Sequence, residues 1–204
     1  MNTSIKDLIN TRISVNNFEP NRPLEDEVIT SLVELATKSP TAYNLQNWRF
    51  IAVCSKSAKI RLKDAAFGQE KIFNSSVSFI ICGILEAHKQ LRSTLQPSLD
   101  ANIMGQKVVD AWVTQIASHE GNEILQRDEA IRSASLSAMT IMLAAQDIGL
   151  GSCAIGGFDA IKVAHEFELN ANELPVMIVA VGYPAGNNWP QKPRKPLSKV
   201  LTII

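Results

Sequence analysis

The chain has 204 residues, 46% of them hydrophobic and 20% charged, which is enough apolar material for one large domain with a substantial core. Its twenty basic and twenty acidic residues cancel to a formal net charge of zero, and this argues against a general affinity for nucleic acid or anionic membranes, because both depend on positive charge. There is neither the apolar core of a signal peptide near the start nor an apolar run long enough to span a bilayer, so we expect a cytoplasmic protein.

The cysteines and histidines do not form a metal-binding pattern. The three cysteines lie singly in or beside apolar segments, and the three histidines share no ligand spacing. Zinc sites and CxxC motifs place their ligands in close pairs, so the sequence predicts no metal site. We interpret Cys54, Cys82 and Cys153 as buried thiols in a reducing compartment, and the histidines as structural or surface residues.

The first predicted element is a short helix over residues 4–10, followed by an extended segment. In that segment Arg12, Ser14 and Asn16 alternate with apolar residues, so an extended backbone places the three polar side chains on one side. A guanidinium and a hydroxyl on one face suit a phosphate group. An ordinary surface arginine after a helix is the other interpretation of this segment.

A polar connection over residues 39–50 separates a second predicted helix from a strand. The acidic residues 25–27 mark the start of the helix, which ends at Pro40, and the strand covers residues 49–54. The connection is unusually rich in amide and hydroxyl side chains. Loops of this kind between rigid elements often carry binding groups.

The third predicted helix covers residues 55–66, and its lysines and arginine are best explained as a solvated outer face. The basic residues in question are Lys59, Arg61 and Lys63. A continuous apolar run over residues 77–83 then predicts a strand that is covered on both faces.

The second half of the chain contains a helical excursion, a long helix and two more strands. We predict helical periodicity in the later part of the excursion over residues 86–121. The helix over residues 123–148 has little charge on any face in its second half, which predicts burial against a close neighbour. Strands are predicted over residues 150–155 and 174–182.

Two features near the predicted strands suggest binding. Gly156 and Gly157 allow a backbone to approach a flat ligand closely, although a plain turn before the next helix explains them equally well. Residues 186–204 form a proline-stiffened basic arm that ends in large aliphatic side chains. These aliphatic residues need a surface to cover, either on their own domain or on a partner subunit.

Four segments of the chain together resemble a known family. They are residues 12–18 (RISVNNF), 39–50 (SPTAYNLQNWRF), 154–159 (AIGGFD) and 192–197 (KPRKPL). In this order and spacing they resemble the nitroreductase family of FMN-dependent oxidoreductases, and the resemblance covers essentially the whole chain. Each motif alone is a weak signal, whereas the ordered set is a strong one.

The resemblance implies an α+β fold with a central mixed or antiparallel sheet flanked by helices, in an intertwined homodimer. It also implies one domain over residues 1–204, with residues 86–121 as the excursion and 186–204 as a C-terminal arm. The implied function is reduction of a small-molecule electron acceptor, such as a nitroaromatic or a quinone, by hydride from NAD(P)H through bound FMN in a ping-pong reaction. The alternative is a flavin-binding protein with little turnover, or a specialised flavin chemistry such as dehalogenation or flavin breakdown.

The same resemblance implies roles for individual residues, and the chemistry is centred on the flavin rather than on a protein acid or base. The residues implied to bind the FMN phosphate are Arg12, Ser14, Lys192 and Arg194, with Asn16 beside them. The loop that reaches across the dimer interface contributes Pro40, Thr41, Ala42, Asn44 and Gln46. The glycine turn offers backbone groups of Ile155, Gly156 and Gly157. Gln69 and Lys71 are placed near the flavin pyrimidine ring, where the Lys71 cation would stabilise negative charge.

The chain also departs from the family pattern. Many relatives carry basic residues where this chain has Ile13 and Asn16, a difference that bears on phosphate binding and on the flavin potential. Tyr43 stands where a smaller residue is commoner. It either narrows the substrate pocket or packs at the dimer interface, and we favour the interface.

Overall fold

The computed structural model describes residues 4–204 and contains eight α-helices and four β-strands within that range. The helices are α1 (Ile5–Thr11), α2 (Asp26–Ala36), α3 (Lys56–Ala65), α4 (Glu70–Asn74), α5 (Leu91–Asp100), α6 (Gln106–Ile116), α7 (Glu123–Asp147) and α8 (Ala160–Glu166). The strands are β1 (Trp48–Val53), β2 (Val77–Ile84), β3 (Gly151–Ile155) and β4 (Glu173–Gly182). Four helices are preceded by a residue whose side chain accepts a hydrogen bond from the first turn, namely Ser4, Ser55, Asn122 and Asp159.

The four strands form one sheet in the order β1-β2-β4-β3, and every neighbouring pair is antiparallel. The central strand β2 is buried along almost its whole length, as its continuous apolar run predicted. A parallel bridge between Ser14 and Ser152 places the extended segment after α1 against the outer strand β3. The α+β prediction is therefore confirmed, with an antiparallel sheet.

Helices cover both faces of the sheet because successive strand side chains point to opposite sides. Ile80 and Ile178 belong to the core beneath α3, α4 and α8, whereas Phe79 and Val179 belong to the core beneath α2 and α7. The contact between β2 and α7 is very close, since a Cβ atom on Gly83 would lie 2.6 Å from the carbonyl oxygen of Ala130.

Helix α7 is buried mainly through small residues, as its composition predicted, but one stripe of it stays open. Among its buried residues are four alanines and two serines. Leu136 and Met139 lie on a common face, three residues apart, and are 48% and 36% exposed. Among residues 4–204, no helix combines the length and the apolarity needed to cross a lipid bilayer.

The helical excursion builds a separate apolar cluster outside the two main layers. Leu91 and Leu95 of α5 pack there with Val109 and Ile116 of α6. Sequence periodicity predicted α6 but not α5. Pro97 lies inside α5, where proline is normally unfavourable.

Two side chains differ from the sequence prediction in their burial. Lys59 is buried, with 8% exposure, so its assignment to an outer helix face was wrong. Cys54 is exposed rather than buried, whereas Cys82 and Cys153 are buried as predicted. Burial raises the pKa of the Cys82 thiol to about 12, which keeps it protonated and unreactive.

The carboxylate of Glu173 ties the start of β4 to β1 and carries a testable pH dependence. It accepts hydrogen bonds from the Asn170 backbone at 3.0 Å and from Arg49 at 2.5 Å. Burial opposes its ionisation, but these bonds outweigh burial and hold the pKa of Glu173 below its ordinary value of 4.5. Since the folded-state pKa is lowered, the stabilisation is present at neutral pH and disappears as pH falls through the folded-state pKa.

We therefore expect Glu173→Gln to lower the free energy of unfolding by about 2 kcal/mol at pH 7, because charged hydrogen-bond partners are lost. The difference from wild type should shrink as the pH falls below 4.5. Urea unfolding at a series of pH values measures this. Glu34→Gln is the matched control, because Glu34 is exposed and has no ion-pair partner among residues 4–204. A pH-independent difference would contradict the assignment.

Candidate cofactor site

A small basic pocket lies where the extended segment after α1 meets the C-terminal arm. Its volume is about 50 Å³. Four residues that the sequence assigned to a phosphate line it together, namely Arg12, Ser14, Lys192 and Arg194. Within residues 4–204, none of the three basic side chains has a carboxylate within 4.0 Å, so their positive charge is left for a ligand.

Two amide side chains that the sequence analysis missed hold the arm in this position. Asn188 accepts hydrogen bonds from the backbone N–H groups of Asn16 at 2.8 Å and Asn17 at 2.9 Å. Gln191 donates to the carbonyl oxygen of Arg12 at 3.1 Å. The amide-rich composition of the arm was the only sequence signal for these contacts. Their effect is to bring Lys192 and Arg194 to the first segment.

Lys71 adds a further cation beside the segment that carries Arg12 and Ser14. Its Nζ atom donates a hydrogen bond to the side-chain oxygen of Asn16 at 3.0 Å and lies 3.7 Å from the Cys153 sulfur. The segment that carries Asn16 is itself fixed to β3, because the Val15 N–H donates to the carbonyl oxygen of Ser152 at 2.9 Å. Asn16 therefore positions the Lys71 ammonium rather than competing with it.

The glycine turn after β3 is open and is held by Gln69. The Gln69 amide donates to the carbonyl oxygen of Gly157 at 2.7 Å and to that of Ala66 at 3.1 Å. Gly156 and Gly157 are exposed, and neither backbone N–H donates to another described residue. The Ile155 side chain packs in the core, so only its backbone faces this region.

The loop that precedes β1 adopts a strained backbone. Tyr43, Asn44 and Gln46 all have left-handed conformations, with φ values of 51°, 55° and 50°. Such values are uncommon for residues other than glycine and tend to persist at functional positions. The Thr41 hydroxyl oxygen accepts a hydrogen bond from the Gln46 N–H at 3.0 Å, which stabilises this turn.

Contacts on two sides hold this loop in place. The hydroxyl groups of Ser39 and Thr140 in α7 are hydrogen-bonded at 2.6 Å. The Tyr43 ring packs edge-to-face on Trp112 of α6, with 5.6 Å between ring centroids. Tyr43 thus connects the loop to the helical excursion of its own chain, a contact that the sequence did not suggest.

Within one chain, the loop and the basic pocket are far apart. The outer strands of the sheet are β1 and β3, with β2 and β4 between them. Neighbouring strands are about 4.8 Å apart, so roughly 14 Å of sheet separates the loop before β1 from the segments around β3. The segment around Arg12 and the turn at Gly157 both adjoin β3, whereas Pro40, Thr41, Ala42, Asn44 and Gln46 form a second group beside β1.

The pocket and its surroundings fit a planar cofactor with a phosphate group. Arginine side chains without a carboxylate partner suit phosphate, and the free N–H groups of an exposed glycine turn suit the polar edge of a ring. Within residues 4–204, no group of three or more His, Cys, Asp or Glu side chains is placed to hold a metal ion. His88 and His119 are buried within the excursion and His165 is exposed, which agrees with their predicted structural and surface positions.

Comparison with known proteins identifies the family. The sequence model of the nitroreductase family matches residues 9–183. A Bacillus subtilis strain 168 protein, provisionally named NAD(P)H nitroreductase YodC, is 34% identical over 202 residues, covering 99% of this chain and 100% of that protein. The solved structure of a B. subtilis protein provisionally called nitroreductase YdfN has a TM-score of 0.91 at 31% identity and covers 98% of both chains.

A second solved structure adds a cofactor. It is a protein of Exiguobacterium sibiricum, provisionally called a nitroreductase and solved in complex with FMN. Its TM-score is 0.90 at 26% identity, over 99% of this chain and 98% of that chain. The match of the family model over most of the chain and the relative that is 34% identical agree with the four sequence motifs. This chain belongs to the nitroreductase family.

Proposed function

We propose that this chain is an FMN-dependent oxidoreductase that takes hydride from NAD(P)H and reduces a small-molecule acceptor, such as a nitroaromatic or a quinone, in a ping-pong reaction. The observation that carries the proposal is the meeting of Arg12, Ser14, Lys192 and Arg194 in one pocket, on a segment that bridges to β3, the strand that leads into the open glycine turn. The name of the B. subtilis relative and the FMN complex of the E. sibiricum protein support it. A cytoplasmic location is part of the same proposal.

Different residues of the site bind different parts of FMN. The basic pocket binds the phosphate, while the free N–H groups of Gly156 and Gly157 face the ring. Gln69 keeps this turn in place through its bond to the Gly157 carbonyl. When bound, FMN supplies the hydride-accepting and electron-donating chemistry, so the protein needs no acid or base of its own.

We further propose that the site is completed by a second copy of the chain. The loop residues Pro40, Thr41, Ala42, Asn44 and Gln46 lie beside β1, at the opposite edge of the sheet from the basic pocket of their own chain. The exposed stripe of Leu136 and Met139 lies beside this loop, because Thr140 of the same helix bonds to Ser39. The arm adds a second exposed apolar surface, formed by Leu197, Val200, Leu201, Ile203 and Ile204. In this proposal residues 1–204 form one domain of a homodimer.

Lys71 is proposed to tune the flavin rather than to transfer a proton. A cation held by Asn16 near the ring favours the negative charge that reduction adds. We expect Lys71→Met to lower the midpoint potential of the bound flavin and to weaken FMN binding about tenfold, the effect of one charge-assisted hydrogen bond. Spectroelectrochemical titration measures the potential.

The matched control for Lys71→Met is Lys63→Met. Lys63 lies nearby on α3, but its ammonium is paired with Glu70 at 2.9 Å and has no place in the site. The control should leave both the potential and the FMN affinity unchanged. An unchanged potential in Lys71→Met would remove this residue from the proposal.

The proposed function is tested on the purified protein. It should be yellow and should release FMN on denaturation. Anaerobic mixing with NADH or NADPH should bleach the flavin absorbance, and adding a nitroaromatic or a quinone should restore it. Parallel double-reciprocal plots at several acceptor concentrations would support the ping-pong scheme. A protein that binds FMN but is bleached by neither donor would instead favour a flavin-binding protein with little turnover.

A further inference from the structure

A second polar cavity of about 320 Å³ lies apart from the proposed cofactor site. It is bordered by the loop before α2, by the end of β1 and by the turn between α4 and β2. None of the proposed cofactor residues lines it. Its wall contains Lys59, the buried lysine that the sequence had placed on an outer face.

The Lys59 ammonium is buried without a counter-charge. Its Nζ atom donates hydrogen bonds to the carbonyl oxygens of Ser75 and Ser76, the second at 2.8 Å, and both residues line the cavity. Within residues 4–204, no carboxylate lies within 4.0 Å of this nitrogen. A lysine ammonium has three N–H donors, so one remains after the two carbonyls are counted. Burial lowers the pKa of Lys59 below its ordinary value, which reflects the cost of the uncompensated charge.

The other charged groups around the cavity leave this cation unbalanced. Arg22 is engaged elsewhere, because it pairs with Glu19 at 2.7 Å and stacks 3.3 Å from the centre of the Tyr183 ring. Lys56 and Asp26 both line the cavity and carry opposite charges. One positive charge, that of Lys59, is therefore left over.

Two longer helices begin at the same cavity. Helix α2 begins at Asp26 and α3 begins at Lys56. The residue before α2, Glu25, makes no side-chain hydrogen bond to the first turn of the helix. The N-terminal ends of both helices, where the dipoles are positive, thus border the cavity beside the buried ammonium, and that of α3 is capped by Ser55.

We propose that this cavity binds a small oxyanion, a phosphate or carboxylate group, through the buried ammonium of Lys59 with Lys56 at its edge. The anion accepts the third N–H of Lys59 and supplies the negative charge that the surrounding residues lack. The site is independent of the proposed FMN site, since the two share no residue.

The test is a calorimetric titration of FMN-saturated protein with inorganic phosphate, and separately with acetate, at constant ionic strength set with chloride. Saturation with FMN blocks the basic pocket around Arg12. We expect one phosphate or acetate site per chain, with the better probe identifying the oxyanion class. Lys59→Met should weaken binding at least about tenfold, since a charge-assisted hydrogen bond is removed. Lys107→Met is the matched control, because Lys107 is exposed on α6 and does not line the cavity.

Further variants keep the result decisive. If Lys59→Met does not fold, Lys56→Ala, at an exposed position, should still weaken binding about threefold, as expected for a nearby surface charge. If the protein does not retain FMN, the titration is run on the Arg12→Ala/Arg194→Ala variant, in which the other basic pocket is removed. Absence of saturable binding in the parent protein, or equal affinity in the parent and the Lys59 or Lys56 variant, would overturn the proposal.

Discussion

Replacing Arg12 and Arg194 together by alanine is expected to abolish retention of FMN, with a dissociation constant at least about 100-fold above that of the parent protein. Both side chains line the 50 Å³ pocket, and neither has a carboxylate partner among residues 4–204. Each therefore has its guanidinium available for a phosphate. Hydrogen bonds between charged groups contribute about 1.5–3 kcal/mol each, which corresponds to a tenfold or larger loss for every arginine removed.

Fluorescence titration of the apoprotein with FMN measures this effect, and Lys195→Ala is the matched control. Lys195 is exposed and lies next to Arg194 in the chain, but it does not line the pocket. The control variant should bind FMN as the parent does. Asn44→Ala, on the distant loop, should also weaken binding if that loop belongs to the site. Normal flavin content in the double arginine variant would refute the phosphate assignment.

Leu136→Glu is expected to convert the proposed homodimer into monomers and to remove most FMN binding with it. Leu136 lies on the exposed apolar stripe of α7, beside the loop that carries Asn44. A carboxylate buried there without a partner charge would cost several kcal/mol, enough to dissociate an ordinary interface. Each monomer would keep its basic pocket but would lose the loop supplied by its partner.

Sedimentation velocity at micromolar concentration, combined with FMN titration, separates the two effects of Leu136→Glu. Ile161→Glu is the control, because Ile161 is an exposed aliphatic residue on α8, which packs on the other face of the sheet. It should leave both mass and affinity unchanged. A parent protein that sediments as a monomer but binds FMN tightly would contradict the shared-site proposal.

Local sequence patterns predicted much of the fold, because each pattern depends on a few neighbouring residues. The apolar run of β2 and the small residues of α7 predicted buried elements within one or two residues of their observed bounds. The superposition with family structures confirms the fold prediction. Helix α5 was not predicted, although Leu91 and Leu95 have helical spacing and pack together in the core of the excursion.

The burial of Lys59 could have been predicted from the helical periodicity of α3. On a helix, residues spaced by two cannot share a face, so Lys59 and Arg61 point to nearly opposite sides. Lys59 shares the buried side of α3 with Leu62 and Ala65, at a spacing of three, and this periodicity was present in the sequence. Its partners, the carbonyls of Ser75 and Ser76, lie on another element and leave no trace in the local pattern.

The candidate site could be predicted only as separate pieces. The family motifs selected Arg12 and Arg194, and the structure adds the contacts of Asn188 and Gln191 that bring the two segments together. These contacts join residues more than 170 positions apart, and no periodicity describes such pairing. The assignment of individual residues to FMN remains a prediction that the two variants above address.

Asn188 anchors the arm, and this contact also determines when the phosphate pocket forms during folding. Asn16 and Asn188 are 172 residues apart, so their hydrogen bond closes one of the longest loops in the chain. The central sheet can assemble from β1, β2, β3 and β4 before that loop closes, because none of these strands belongs to the arm. A chain whose arm has not docked has a complete sheet but only half of its phosphate pocket. Binding of the cofactor therefore requires that folding is complete.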